Sequence, residues 1–479
     1  MKKSIIILLL LIINGSIFGQ YLFTKTYYSE EDNRAPYVKV DNLGNYIVAG
    51  SYNDLNTTHG HPFVYKINKK GNIIDSARYF QNNINNVYIT EFIPCADYYI
   101  FIAIVTRYYS MSSIDIAYIK TDTNLNILDT QIYDLLDSSI IYATASQLDK
   151  DSNIIMNGWY VVPTGYFGSF ITKLSIDGDS LATHIIPADS IREFTALHVD
   201  SNYYYAFSSD LWDQNIYKYD TNLTLVSKTE IPKACAEKFT PIFINDTTYY
   251  TSGWAQPLTY KQFGVMKATL SGQLLDSYFF GIVDSANTLA NTEALCKSGD
   301  YLYLFGNPYT SSSLIPYGNG KPSWNYVAKL DTNLNIIWEK LYGGDAFYLA
   351  ADITADIDGG LLLLSVRNDL HDGVNQLDVH LMKIDTAGST VWVNNIKVRE
   401  IGVDIFPNPT TSQLNINLKS PNKIIRQLQI IDLQGKKILQ KQINAKQTKL
   451  DVSNLSKGVY ILEGLTNTGE SFSRKFVKE

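Results

Sequence analysis

Between residues 20 and 400, short runs of apolar and polar residues alternate, with Gly, Asn, Asp and Ser punctuating them. A period of two with frequent turn residues predicts half-buried strands, and no stretch keeps helical spacing. One unit recurs seven times: a strand bearing a lysine, a polar turn, then a second apolar strand. Its copies include Val64-Tyr65-Lys66-Ile67-Asn68, Tyr118-Ile119-Lys120-Thr121-Asp122, Ile171-Thr172-Lys173-Leu174-Ser175 and Ile216-Tyr217-Lys218-Tyr219-Asp220. Lys267, Lys329 and Lys383 mark the other three, and the successive spacings are 54, 53, 45, 49, 62 and 54 residues.

Each unit also holds an earlier pair of strands around a turn, as in Tyr37–Gly50, Thr240–Gly253 and Ala350–Ser365. Four strands per unit, A to D in chain order, is the cadence of a β-propeller blade. The predicted fold is therefore all-β, a seven-bladed β-propeller at 20–398 followed by a small Ig-like β-sandwich at 399–479. A linear solenoid is the alternative, but no polar capping repeat is visible at either end. Leu22–Tyr27 and Val391–Ile396 both resemble D strands, giving eight such strands for seven lysine strands. We expect the N-terminal copy to close the ring.

The ends carry address signals. Lys2 and Lys3 precede the apolar run Ile5–Ile13, and small and polar residues follow to Gly19, the pattern of a secretory signal peptide cleaved after Gly19. The run is too short to span a membrane, so no transmembrane segment is expected in the mature form. Residues 401–479 hold 12 Lys+Arg against 6 Asp+Glu, no Trp and only one of the 35 tyrosines. The overall charge of −7, less +6 for this tail and +2 for the signal lysines, leaves −15 on residues 20–400. That shift marks a boundary near 398–403, and the acidic balance argues against nucleic acid as a partner. Cys95, Cys235 and Cys296 are too few and scattered for a disulfide framework or a zinc site.

The tail contains Phe406-Pro407-Asn408-Pro409, Leu414-Asn415-Ile416, Asp432-Leu433-Gln434-Gly435-Lys436, Leu455-Ser456-Lys457-Gly458-Val459-Tyr460 and Lys475-Phe476-Val477-Lys478. In this order they resemble the type A C-terminal sorting domain of the type IX secretion system. The resemblance implies recognition by the outer-membrane translocon in a Gram-negative bacterium of the Bacteroidetes type. The cargo would then be released or fixed to the cell surface. The unit from Gly343 to Trp392 resembles a bacterial secreted propeller repeat, which supports fold more than function.

Candidate chemistry is sparse. Asp122-Thr-Asn124-Leu-Asn126, Asp220-Thr-Asn222, Asp331-Thr-Asn333-Leu-Asn335 and Asp177-Gly178-Asp179 look like fragments of calcium loops. No bidentate acid follows them, so Asx-type turns are the better reading. Asp385–Trp392 resembles the Asp-box turn of sialidases with two extra residues, and such boxes are structural. His59 and His61 lack an obvious third metal ligand. No nucleophile elbow, zinc-protease motif or phosphate loop is present, and neither metal, cofactor nor catalytic residue is assigned. The repeated lysines are expected to snorkel or pair with carboxylates.

The loops between strands B and C are rich in aromatics, and Trp212, Asp213, Trp254, Tyr260, Tyr309 and Trp324 are the candidate ligand-binding residues. These features predict a secreted or surface protein that binds a glycan or another protein without catalysis. A propeller glycan hydrolase or lyase, or a structural surface component, are the alternatives. The enzyme reading calls for carboxylates converging at the central channel.

Overall fold

A computed structural model describes residues 21–29, 31–53, 60–80, 86–106, 114–133, 135, 140–188, 193–209, 214–231, 235–236, 241–255, 262–282, 287–308, 322–370, 376–390, 403–419, 423–432, 437–467 and 471–479. The signal segment, the run Val391–Ile396 and Gly435 lie outside them. The chain divides into two compact units, 1–392 and 393–479. Among the described residues no helix is long and apolar enough to cross a membrane.

The first unit is all-β and β-propeller-like. Its strands form successive antiparallel meanders, A to D, starting with Asp32–Val40, Tyr46–Asn53, Gly60–Ile67 and Ile73–Arg78. The second begins at Asn86 and the third at Ile140, the two sharing one parallel ladder pair, Ile114 with Ile140. Further meanders follow from Phe194, Cys235, Thr288 and Phe347. The last is completed by Phe23–Tyr27, which pairs with Asp378–Ile384 in the register Phe23–Lys383 to Tyr27–Val379. The expected N-terminal closure is thus found, and Thr26 and His380 meet across it at 2.9 Å.

Burial follows strand position. Tyr46–Asn53 and Gly60–Ile67 are almost wholly buried, because neighbouring sheets cover both of their faces, so they read as continuous apolar runs. The D strands Ile73–Arg78 and Ile127–Tyr133 alternate exposed and half-buried positions, as outermost strands should. Apolar clusters lie between successive meanders. Ile47, Tyr99 and Phe101 join the first to the second, and Ile155, Phe194 and Tyr204 the third to the fourth. The series returns on itself where Phe23, Tyr46, Leu364 and Leu381 join the seventh to the first.

The lysine and the polar turn of the repeat are two halves of one joint. In the turn, Asp122 Oδ1 accepts the backbone N–H groups of Asn124 and Asn126, and Leu125 takes a positive φ of 63°. Asp331 does the same with Leu334 at 62°. Their carboxylates are spent on the turn, the Asx reading. The leucines accept the strained conformation because their side chains are buried (3% and 2% exposed).

The turn's outward carbonyls then receive donors from the preceding meander. Lys66 donates to Thr123 O at 2.7 Å, Lys173 to Thr221 O at 3.3 Å and Lys329 to Thr386 O at 3.2 Å. Tyr27, Tyr79, Tyr118, Tyr250 and Tyr342 donate hydroxyls in the same sense, to Gly71, Leu125, Ile176, Thr332 and Gly388. Lys120 reaches Asp177 at 2.8 Å. Lys383 is the buried extreme: its ammonium, 0% exposed, pairs with Asp356 and Asp358 and bonds Tyr46.

The second unit packs two antiparallel sheets. One holds Val403–Phe406, Gln413–Leu418 and Gln447–Asp451, the other Lys437–Ala445, Ile425–Asp432, Gly458–Thr466 and Ser471–Lys478. Leu414, Ile416, Leu428, Leu462 and Phe476 form its core.

Removing a buried cation strands the carboxylates it neutralised. Lys383→Met should therefore cost about 3–5 kcal/mol, whereas Lys329→Met, which gives up one exposed hydrogen bond, should cost about 1 kcal/mol or less. Urea denaturation of the two variants checks the ranking.

Candidate functional site

The A strands line the middle of the first unit, and nearly all carry the same irregularity. The register slips between Ile89 and Glu91, Ala143 and Ala145, Phe194 and Ala196, and Ala350 and Asp352. In the fifth and sixth meanders the inner strand is broken in two, as in Thr288–Leu289 and Leu295–Ser298. A bulge re-aims the side chain that follows it. Glu91 and Asp352 each stand immediately after a bulge, and Glu293 stands inside a break.

A cavity of about 480 Å³ opens there, with Lys39, Glu91, Ser146, Thr195, Glu293 and Thr354 among its lining residues. Lys39 Nζ lies 2.5 Å from Glu293 Oε1, and both side chains reach water (20% and 30% exposed). Glu91 accepts the backbone N–H groups of Phe92 at 3.1 Å and Ser146 at 3.2 Å, tying the second meander to the third. Asp352, fully buried, accepts Val38 N–H at 2.7 Å and so ties the seventh meander to the first. Asp352 Oδ1 and, on the cavity wall, Ser146 Oγ are buried polar atoms without a hydrogen-bond partner among the described residues.

Three carboxylates around one ammonium perturb one another. Burial raises the Glu91 pKa to about 7, Lys39 opposes the rise and Glu293 adds to it. Burial and repulsion from Glu293 push the Asp352 carboxyl well above the usual range. Burial works against the Lys39 ammonium, but Glu293, Asp352 and Glu91 outweigh it and the charge is retained. The Cys296 thiol, also on the cavity wall, is pushed well up by burial and is a poor nucleophile. Among the described residues no group of three or more His, Cys, Asp or Glu side chains could hold a metal ion.

Sequence reasoning did not single out these channel residues. The available signal was a charge inside an apolar A strand, as in Ile89-Thr90-Glu91-Phe92-Ile93. Of the loop candidates, Trp212, Asp213, Tyr260 and Tyr309 lie outside the described residues. Trp254 is 4% exposed in the core shared by the last three meanders. Trp324 is half-buried and lies over Gly344, where a Cβ would fall 2.3 Å from its Nε1. Neither lines the channel cavity.

In the tail, Asn408 spans the edge of the last strand, accepting Val477 N–H at 2.9 Å and donating to Lys475 O at 3.1 Å. Phe406 O accepts from Asn415, and Tyr460 stacks on Phe476 with centroids 5.7 Å apart. The sorting motif therefore knits its proline turn, Gly458 strand and C-terminal strand into one sheet edge.

Residues 404–479 match the family described as the secretion system C-terminal sorting domain. A comparison with curated proteins returned no match. Among solved structures, the chain is similar to Drosophila Semaphorin 2a, at 6% identity and TM-score 0.44, covering 95% of this chain and 98% of that one. It is similar to a candidate 6-phosphogluconolactonase from Bacteroides fragilis, at 15% identity and TM-score 0.42, covering 71% and 97%. It is also similar to prolyl oligopeptidase B from Galerina marginata, at 10% identity and TM-score 0.38, covering 71% of this chain and 47% of that one. The chain thus spans under half the length of that peptidase, and likenesses this distant carry nothing about activity. The type IX sorting tail marks a secreted or surface protein with a β-propeller-like fold that engages the secretion machinery.

The raised Glu91 pKa has a definite sign. Between its ordinary value of 4.5 and about 7 the folded chain keeps a proton that the unfolded chain releases. Stability from this group is therefore intact below that window and falls as pH rises through it. Glu91→Gln removes the effect, so urea midpoints at pH 5 and pH 8 should differ less in the variant than in the parent.

Proposed function

We propose that this chain is an exported, non-enzymatic binding protein whose ligand site is the channel cavity. Its ligand would be a small hydroxyl-rich group such as the end of a glycan. The observation that carries this reading is a water-reaching cavity with charged and hydroxyl groups on its wall, where Ser146 Oγ awaits a partner. The proposed architecture is a seven-bladed ring, supported by the seven lysine units and by the apolar clusters that return from the seventh meander to the first. Trp212, Asp213, Trp254, Tyr260, Tyr309 and Trp324 are proposed to extend recognition onto the loops. Export would begin with signal cleavage after Gly19 and end in release or surface fixation.

A hydrolase or lyase is the second reading, favoured by the near-neutral Glu91 pKa beside a second carboxylate. Binding is preferred because each acid is already engaged: Glu91 by two backbone N–H groups, Glu293 by Lys39 and Asp352 by Val38. A general acid needs a proton free to reach substrate.

Two experiments test the proposal. The mature chain applied to a glycan array should bind a saccharide without consuming it, and Ser146→Ala should weaken binding about tenfold, the effect of one buried hydrogen bond. A folded chain that binds no glycan overturns the ligand reading, and release of new reducing ends replaces it with the hydrolase. In cells, deletion of 404–479 should leave the cargo in the periplasm, and its appearance outside would remove the export role of the tail.

A further inference from the structure

Among the described residues, one junction in the first unit lacks the joint that the others share. The C–D turn of the fifth meander, Thr269 to Gln273, receives no side-chain donor from the fourth. Its hydrogen bonds stay within its own meander: Gly272 N–H to Thr269 O, Leu270 N–H to Thr247 O, and Thr269 Oγ1 with Ser271 Oγ at 2.8 Å. Lys218 occupies the place from which Lys66, Lys173 and Lys329 reach a carbonyl on the next turn. Its ammonium finds neither carbonyl nor carboxylate and rests instead on aromatic faces, 3.5 Å from the Tyr203 ring centroid and 5.8 Å from that of Tyr205. Tyr205 does not bridge the gap, because its hydroxyl donates to Asp200 of its own meander. At the next junction Lys267 also rests on a tyrosine, but there Tyr250 reaches across to Thr332 O.

Where the joint is missing there is a cleft of about 470 Å³, bounded by Lys218, Ser227 and Thr229 on one side and Asp246, Thr247 and Ser271 on the other. Ile216 and Leu270 supply an apolar patch. The hydroxyls of Ser227 and Thr229 belong to residues that line the cleft. We propose that this cleft is a second binding site, distinct from the channel, for an acidic saccharide whose single oxyanion takes the place of the missing turn carbonyl at Lys218. The cation supplies the charge-assisted bond that its counterparts make to protein oxygen. The hydroxyl-lined walls match a polyol body, and the one carboxylate, Asp246, disfavours a ligand carrying several negative charges.

The test is calorimetric titration of the full mature chain with sodium galacturonate, sodium sulfate and neutral galactose. Galacturonate should bind, and Lys218→Met should weaken it about tenfold or more, the scale of one charge-assisted hydrogen bond. Lys218→Arg should retain binding, and Lys267→Met, the matched substitution at the next junction, should leave it unchanged. Melting curves of both methionine variants establish that they are folded. Equal binding by the parent and Lys218→Met, or no galacturonate binding by the parent at millimolar concentration, overturns the proposal. Sulfate binding as tight as galacturonate replaces the saccharide with a free inorganic anion. Galactose binding as tight as galacturonate denies the oxyanion its role. Because the array variant lies in the channel and this one in the cleft, either reading can fail alone.

Discussion

The carbonyl-rich turn after each lysine strand is the constraint on which the first unit depends. A four-stranded meander buries little on its own, and its outer edge is wet. What makes neighbours cohere is that the turn, held open by an Asp, Asn, Ser or Thr side chain, presents backbone oxygens that the preceding meander satisfies at every described junction but the one between the fourth and fifth. Tyrosine suits that task because its ring packs between sheets while its hydroxyl reaches the turn. Tyr79, Tyr118 and Tyr342 do this at three different junctions. The high tyrosine content of residues 20–400 and its near absence from the tail follow from this difference in construction.

The inner strands solve a different problem. Polar backbone around a narrow channel must be paired without a sheet to pair it, and bulges free single side chains for the purpose. Asp352 and Glu91 accept N–H groups from the next inner strand. Thr144 and Gln147 donate to Phe194 O and Leu197 O on the strand beyond. The same side chains that lace the channel also give it charge, so its chemistry is a by-product of closure as well as a candidate site. Lys39 moderates that charge, and without it the carboxylates would stand unneutralised beside one another.

The sandwich at 403–479 obeys ordinary strand rules, with one exception. Lys437–Ala445 carries two lysines and three glutamines or asparagines, and only Ile443 is buried. It is an edge strand protected by charge, which is why its sequence resembles a loop more than a strand. Asn408 closes another edge, holding the terminal strand through both of its amide atoms.

The residue pattern alone determined the all-β class, the repeated unit, the Asx turns and the sorting tail, because each depends on side chains close together along the chain. It also contained the closing strand Phe23–Tyr27, through its likeness to the D strands elsewhere. Tertiary structure alone decided which atoms the repeats present to one another. That Lys383 is buried against Asp356 while Lys218 stands on a tyrosine ring cannot be read from two strands that share the lysine and the turn Asp after it. Lys39 and Glu293 are 254 residues apart and meet only because the ring closes. Local sequence sets the conformation of each meander. Long-range pairing of charge is fixed by how the meanders abut, and the energy of that contact is written at neither partner alone.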